Sequence, residues 1–213
     1  MEQINLEAAL RSRQADHAQL AAEAVTDSEL LDEVFLGLNA KPAAVKYGCL
    51  KIIRIISENN PEIIDDRFEF LSGLLSHDNN FFKWGSVLIV ANLAAAAKDR
   101  KFEKIFDRYF QPVAGPVMIT AANTIQGAGI IAAAKPELSN RIAAEILKTE
   151  DASYETDECH NIVLGHAIQS FSLFFDTIAD KAPVIEFVRR RLDNSRNATR
   201  KKAEAFIKKY KIA

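Results

Sequence analysis

Cys159, His160 and His166 are the residue types from which a zinc site is built, and they lie close together in the chain. Zinc needs its ligands to converge on one tetrahedral point. On a helix, Cys159 and His166 share a face but stand two turns, or about 10 Å, apart. The helix-borne His-Glu-x-x-His spacing is absent. Gln126-Gly127-Ala128-Gly129 carries a Gly-x-Gly, but a phosphate-cradling loop follows a strand and opens a helix, whereas this one falls inside a helical pattern and reads as close helix packing. The four histidines (His17, His77, His160, His166) are scattered, and none accompanies a nucleophile in a Gly-x-Ser-x-Gly context. Cys49 reads as inert core. Asn197-Ala198-Thr199 is a glycosylation sequon, which means nothing without a secretory route. The residues therefore predict no metal site, no cofactor and no catalytic group. What remains is binding.

Charge offers one binding surface. The net charge of −2 hides a strong asymmetry. Residues 189–213 hold ten basic side chains against two acidic ones, so the preceding 188 residues carry a surplus of ten acids. Arg189, Arg190, Arg191, Arg196, Arg200, Lys201 and Lys202 form the expected anion or nucleic-acid patch. The alternative is a terminal helix that keeps its outer face solvated.

The elements that must carry these residues are helical. In 213 residues there are only 8 glycines and 6 prolines, too few for a turn-rich sandwich or barrel. Two cysteines exclude a disulfide framework, and with no signal-peptide pattern the expected location is a reducing cytoplasm. Pro112 to Ala134 is uncharged, but Thr120, Asn123, Thr124 and Gln126 near its middle point to a buried helix and not to a membrane span.

A repeat is visible. Val45-Lys46-Tyr47-Gly48 and Phe82-Lys83-Trp84-Gly85 are near copies. A step of the same length reaches Ile119; a longer one, containing the polar run Asp151–Asp157, reaches Ile162; and the original step then reaches Thr199. The first helices carry apolar stripes such as Leu31-Val34-Phe35-Leu38, Ile64-Leu71-Leu75 and Ile185-Val188-Leu192; the second helices are more thoroughly apolar. This predicts five helix pairs, over 27–60, 61–98, 99–135, 136–180 and 181–213. Residues 1–26, with Ile4, Leu10, His17, Ala21 and Ala24, form a capping helix.

Helix pairs of this length, whose second helix opens on Val45-Lys46-x-x-Cys49, Phe82-Lys83-x-x-Ser86 and Thr199-Arg200-x-x-Ala203, resemble HEAT repeats of the armadillo-like α-solenoid class, over 27–213. The resemblance implies an all-α superhelix, with the basic residue paired to turn acids such as Asp78, Glu158 and Asp193. Thr120 and Val163 stand in its place in the third and fourth units. It also implies that second helices line a concave face, since stacked pairs bury the stripe that no pair buries alone.

Stepping one stripe of the second helix through the units predicts a partner-binding face of Tyr47, Lys51, Arg54, Trp84, Leu88, Ile125, Leu164, Ile168 and Phe171: polar at its ends, apolar in the middle, with Trp84 as anchor. The alternative is that the middle stripe is core. The expected function is a non-catalytic scaffold that receives a protein segment on that face. The alternative is nucleic-acid binding through the basic end, similar to the DNA-alkylation-repair glycosylases that resemble HEAT arrays, although no acidic residue accompanies Trp84. Self-association through the apolar face is a third outcome.

Overall fold

The computed structural model describes residues 5–212. It contains no strand among them. The chain divides into two compact units, Met1–Ala97 and Lys98–Ala213.

The first unit holds α1 (Leu6–Arg11), α2 (His17–Thr26), α3 (Ser28–Gly37), α4 (Ala43–Asn59), α5 (Phe68–Gly73) and α6 (Asn80–Ala96). The capping helix expected over 1–26 is two helices. Asp16 accepts bonds from the Ala18 and Gln19 amides and starts α2, while the Ser12 hydroxyl accepts from the Gln14 amide in the gap. Ile4 lies outside the described residues. Leu6, Leu10, Leu20, Ala21 and Ala24 are buried, and α1 and α2 pack on α4. Asp27 caps α3 through the Glu29 and Leu30 amides. α4 packs between α2 and α6, with α3 and α5 laid against α4 and α6 respectively. Cys49 is wholly buried beneath Gly37, where an added Cβ would collide with its sulfur, and burial pushes its thiol up to about 11.

The stretch before α5 begins as a 3-10 helix over Pro61–Arg67, and another, Leu74–Ser76, follows it. Its buried face is Ile64, Phe68, Leu71 and Leu74, not Leu75, because the tighter 3-10 pitch turns Leu74 inward.

The second unit holds α7 (Lys101–Phe110), α8 (Met118–Ala134), α9 (Ser139–Leu147), α10 (Asp157–Phe174), α11 (Ala182–Arg189) and α12 (Asn197–Tyr210). α8, α10 and α12 lie side by side, and α9 packs on α8, α10 and α11. α8 covers most of the uncharged stretch. Its Thr124 hydroxyl donates to the Thr120 carbonyl inside the core, and no described helix is long and apolar enough to cross a membrane. The polar run before α10 is a loop. Tyr154 donates to the Val113 carbonyl at 2.6 Å, and the Ser153 carbonyl occupies the space where a Cβ on Gly115 would go. Gly115 has φ +91°, a conformation open to glycine at little cost.

Hydrogen bonds joining separate helices within each unit recur at similar sequence separations: Asn79 to Tyr47 at 32, Asn92 to Ser57 at 35, Lys209 to Ser172 at 37, Thr199 to Asn161 at 38.

Candidate functional site

The expected stripe is exposed only at its beginning. In α4, Tyr47 and Arg54 are half-buried and Lys51 is exposed; Arg54 donates to Glu58 one turn on. Trp84 of α6 is half-buried. Leu88, Ile125, Leu164, Ile168 and Phe171 are core, none more than 5% exposed. The physical reason is a rotation of about 100° per residue along a helix. In α8 and α10 the outward face runs one position further on, through the exposed Gln126 and Gln169. Likewise Thr120 and Val163 are buried, whereas Ile119, to which the repeat step pointed, is exposed.

The structure gathers an aromatic cluster at the N-terminal ends of α4 and α6. The Tyr47 and Phe81 rings are 4.8 Å apart, and Phe81 meets Trp84 edge-on at 5.4 Å. Phe81 is 55% exposed. One side chain organises the cluster: Asn79 Oδ1 accepts from the Phe81 amide and caps α6, while its Nδ2 donates to the Tyr47 hydroxyl at 2.9 Å. His77 accepts from the Asn79 amide, and its ring lies tilted against Phe82 with centres 4.8 Å apart. The cluster is therefore pre-shaped, a condition that lowers the ordering cost of binding. Phe81 and Asn79 were missed in the sequence. Phe81 lies three residues before Trp84, the spacing that shares a helix face, so the signal was present.

The same unit carries a second concavity of about 460 Å³, lined by Asp32, Phe35, Leu36, Asn39, Arg67 and Phe70. Leu36 is 71% exposed and Phe70 48%. Neither lies on the apolar stripes read from the sequence, and an apolar residue off its stripe is the signal that would have found them.

The basic patch is largely engaged within the second unit. Arg191 is buried, donates to Glu150 at 2.7 Å and to the Phe187 carbonyl, and lies over the Phe187 ring. Arg190 bonds Glu150 at 2.6 Å and Glu186 at 2.9 Å. Burial pushes the Glu150 carboxyl up, but the bonds from Arg190 and Arg191 outweigh it and hold it below its ordinary range. Arg196 pairs with Glu158 at 2.7 Å. Arg200 donates to the Asn194 carbonyl and to Asn197. Arg189 and Lys201 are exposed. Lys202 is half-buried, and burial pulls its amine down, with Arg196 adding to the effect. His166 is lowered by burial and by the charges of Lys202 and Arg196. A small groove between α10 and α12, floored by Ile168 and Phe206, is flanked by Lys202 and Lys209.

Among the described residues no group of three His, Cys, Asp or Glu side chains can hold a metal. His160 bonds the Thr149 carbonyl at 2.8 Å, while His166 faces Lys202 and Arg196.

No family model matches the sequence, and no curated protein matches it. The crystal structure of an engineered protein from the Northeast Structural Genomics Consortium is similar at a TM-score of 0.54 and 13% identity, over 98% of this chain and 97% of its own. That likeness is one of fold.

Proposed function

We propose that the chain is a non-catalytic interaction module, built from HEAT-like helix pairs, that receives a segment of a protein partner on the Tyr47–Phe81–Trp84 cluster. The repeat reading draws support from the recurring separations of its inter-helix bonds and from helices packed side by side within each unit. The observation that carries the binding reading is Phe81, a large aromatic ring left 55% exposed between two aromatic neighbours. Rigid aromatic side chains that are half-desolvated before binding are the residues that dominate interface energetics. The exposed Lys51, further along the same stripe of α4, supplies a basic flank that favours a partner segment with an acidic residue beside its apolar anchor, whereas Arg54 is paired to Glu58.

The test is capture of binding proteins by the tagged chain and by Phe81→Ala and Trp84→Ala variants whose circular dichroism is unchanged. A partner retained by the parent and lost by both variants is the expected result. An identical partner list from folded variants overturns the reading. The only tryptophan in the chain is at the cluster, so its emission gives an independent readout.

The nucleic-acid alternative rests on Lys201, Lys202 and the neighbouring Lys208, since Arg190, Arg191, Arg196 and Arg200 bond within the chain. It requires binding of DNA or RNA at about 50 mM salt that weakens steeply as salt rises. No binding under that condition disposes of it.

A further inference from the structure

We propose that the groove between α3 and α5 is a second docking site, and that its occupant is a basic amphipathic segment of a partner protein. The site is independent of the aromatic cluster and does not rest on the reading of it.

The groove has an apolar interior and an acidic border. The Phe35 ring meets Phe70 edge-on at 6.1 Å and forms the floor; Leu36 and Phe70 stand out on either side. Its volume of about 460 Å³ is in the range that encloses a bulky side chain and its neighbours. Arg67 holds the walls together. Its guanidinium lies 5.2 Å from the Phe35 ring centre and donates to Asp32 of α3 at 2.9 Å and to Asp66 at 3.2 Å. The ion pair to Asp32 thus links the two walls of the groove.

The border selects the partner. Glu29, Asp32 and Glu33 lie at i−7, i−4 and i−3 to Leu36, on one exposed face of α3. Asp66 and Glu69 flank Phe70 and are also exposed. Asp32 lines the groove itself and, with Asp66, is paired to Arg67; Glu29 and Glu33 on α3 and Glu69 beside Phe70 are exposed carboxylates that add negative charge along the two elements. The whole unit repeats the bias, with fourteen acidic residues against eight basic ones. Nucleic acid is repelled by such a border. A segment that presents one large apolar side chain between Leu36 and Phe70, with lysines or arginines on its polar face, satisfies both parts of the site. The α12 helix of a second copy is basic, but the exposed non-basic positions between its lysines are Glu204 and Ala205, which give it no bulky anchor.

The test uses the full chain and a fluorescein-labelled synthetic helical peptide with leucines at i, i+4 and i+7 and lysines elsewhere, compared with a scrambled peptide of the same composition. The expected result is saturable binding that weakens about tenfold or more between about 50 mM and about 300 mM salt and is about tenfold weaker for the scramble. Leu36→Asp and, separately, the double variant Glu33→Lys with Glu69→Lys reduce it by about tenfold or more. These positions are exposed, and circular dichroism checks that the variants fold. Trp84→Ala leaves this binding unchanged, which separates it from the aromatic cluster. Equal binding of the scrambled peptide, or binding indifferent to Leu36→Asp, overturns the proposal. So does a dimer of the full chain without peptide that Leu36→Asp abolishes, which would make a second copy the occupant.

Discussion

Among the described residues, the large apolar side chains left at the surface of Met1–Ala97 are Leu36, Phe70 and Phe81; in Lys98–Ala213 they are Val117, Ile119 and Leu173, all aliphatic. The charges differ as well. The first unit has fourteen acids and eight bases, an excess of six negative charges. The second has nineteen bases and fifteen acids, and Arg190, Arg191 and Arg196 are tied to Glu150, Glu186 and Glu158. Two units made of similar helices can thus present different chemistry. One keeps aromatic rings and carboxylates at its surface. The other turns much of its basic sequence into internal bonds, so a cation count taken from sequence overstates what a ligand would meet.

The largest test of this contrast pairs Phe171→Ala with Phe81→Ala. Phe171 is fully buried, and its truncation is expected to lower denaturant stability by about 3–5 kcal/mol. Phe81→Ala should stay within about 0.5 kcal/mol. Equal losses would mean that Phe81 is core, and the contrast would break. Next comes Glu150→Gln, which strands the buried Arg191 guanidinium. Because Glu150 is itself part-exposed, the cost should be about 2–3 kcal/mol, at the low end for a broken buried pair. A loss below about 0.5 kcal/mol would show that the basic end is looser than its bonds imply.

Two glycines should respond with opposite sign. Gly115→Ala meets the Ser153 carbonyl at positive φ and is expected to cost about 2 kcal/mol. Gly73→Ala in α5 meets nothing within 4 Å and should gain about 0.5–1 kcal/mol. Thermal midpoints of the two variants decide this.

The smallest effect is on pH dependence. His166 is held below its ordinary 6.5 by burial, then by Lys202 and Arg196. A lowered folded value means stability that is present above 6.5 and lost as pH falls through the folded value. His166→Gln should flatten the decline in thermal midpoint below pH 6.5 while leaving the value at pH 8 little changed.

The helical class was legible because scarce glycine and proline and the apolar spacing all point the same way. So was the polar run before α10, since insertions fall in loops. The orientation of α8 and α10 was not. α8 carries little beyond Asn123 and Gln126 to mark its outer side, and in α10 Gln169 and Ser172 mark it; a fixed repeat step landed one position short of Gln126 and Gln169, on Ile125 and Ile168. α4, with Lys51 and Arg54 on one stripe, was oriented without difficulty. The basic end misled for a different reason: pairing with Glu150 and Glu158 depends on contacts some 40 positions away in the chain, which no local count of lysine and arginine contains.

Cys49 and Cys159 divide between the two units, one in each. Cys49 is shut under Gly37 with its thiol pushed up to about 11, whereas Cys159 is half-exposed at the start of α10. The native chain therefore comes with its own chemical stopwatch. A thiol-reactive dye will mark Cys159 promptly and Cys49 only as often as the first unit breathes open, so the kinetics of one half can be timed without engineering a reporter into it.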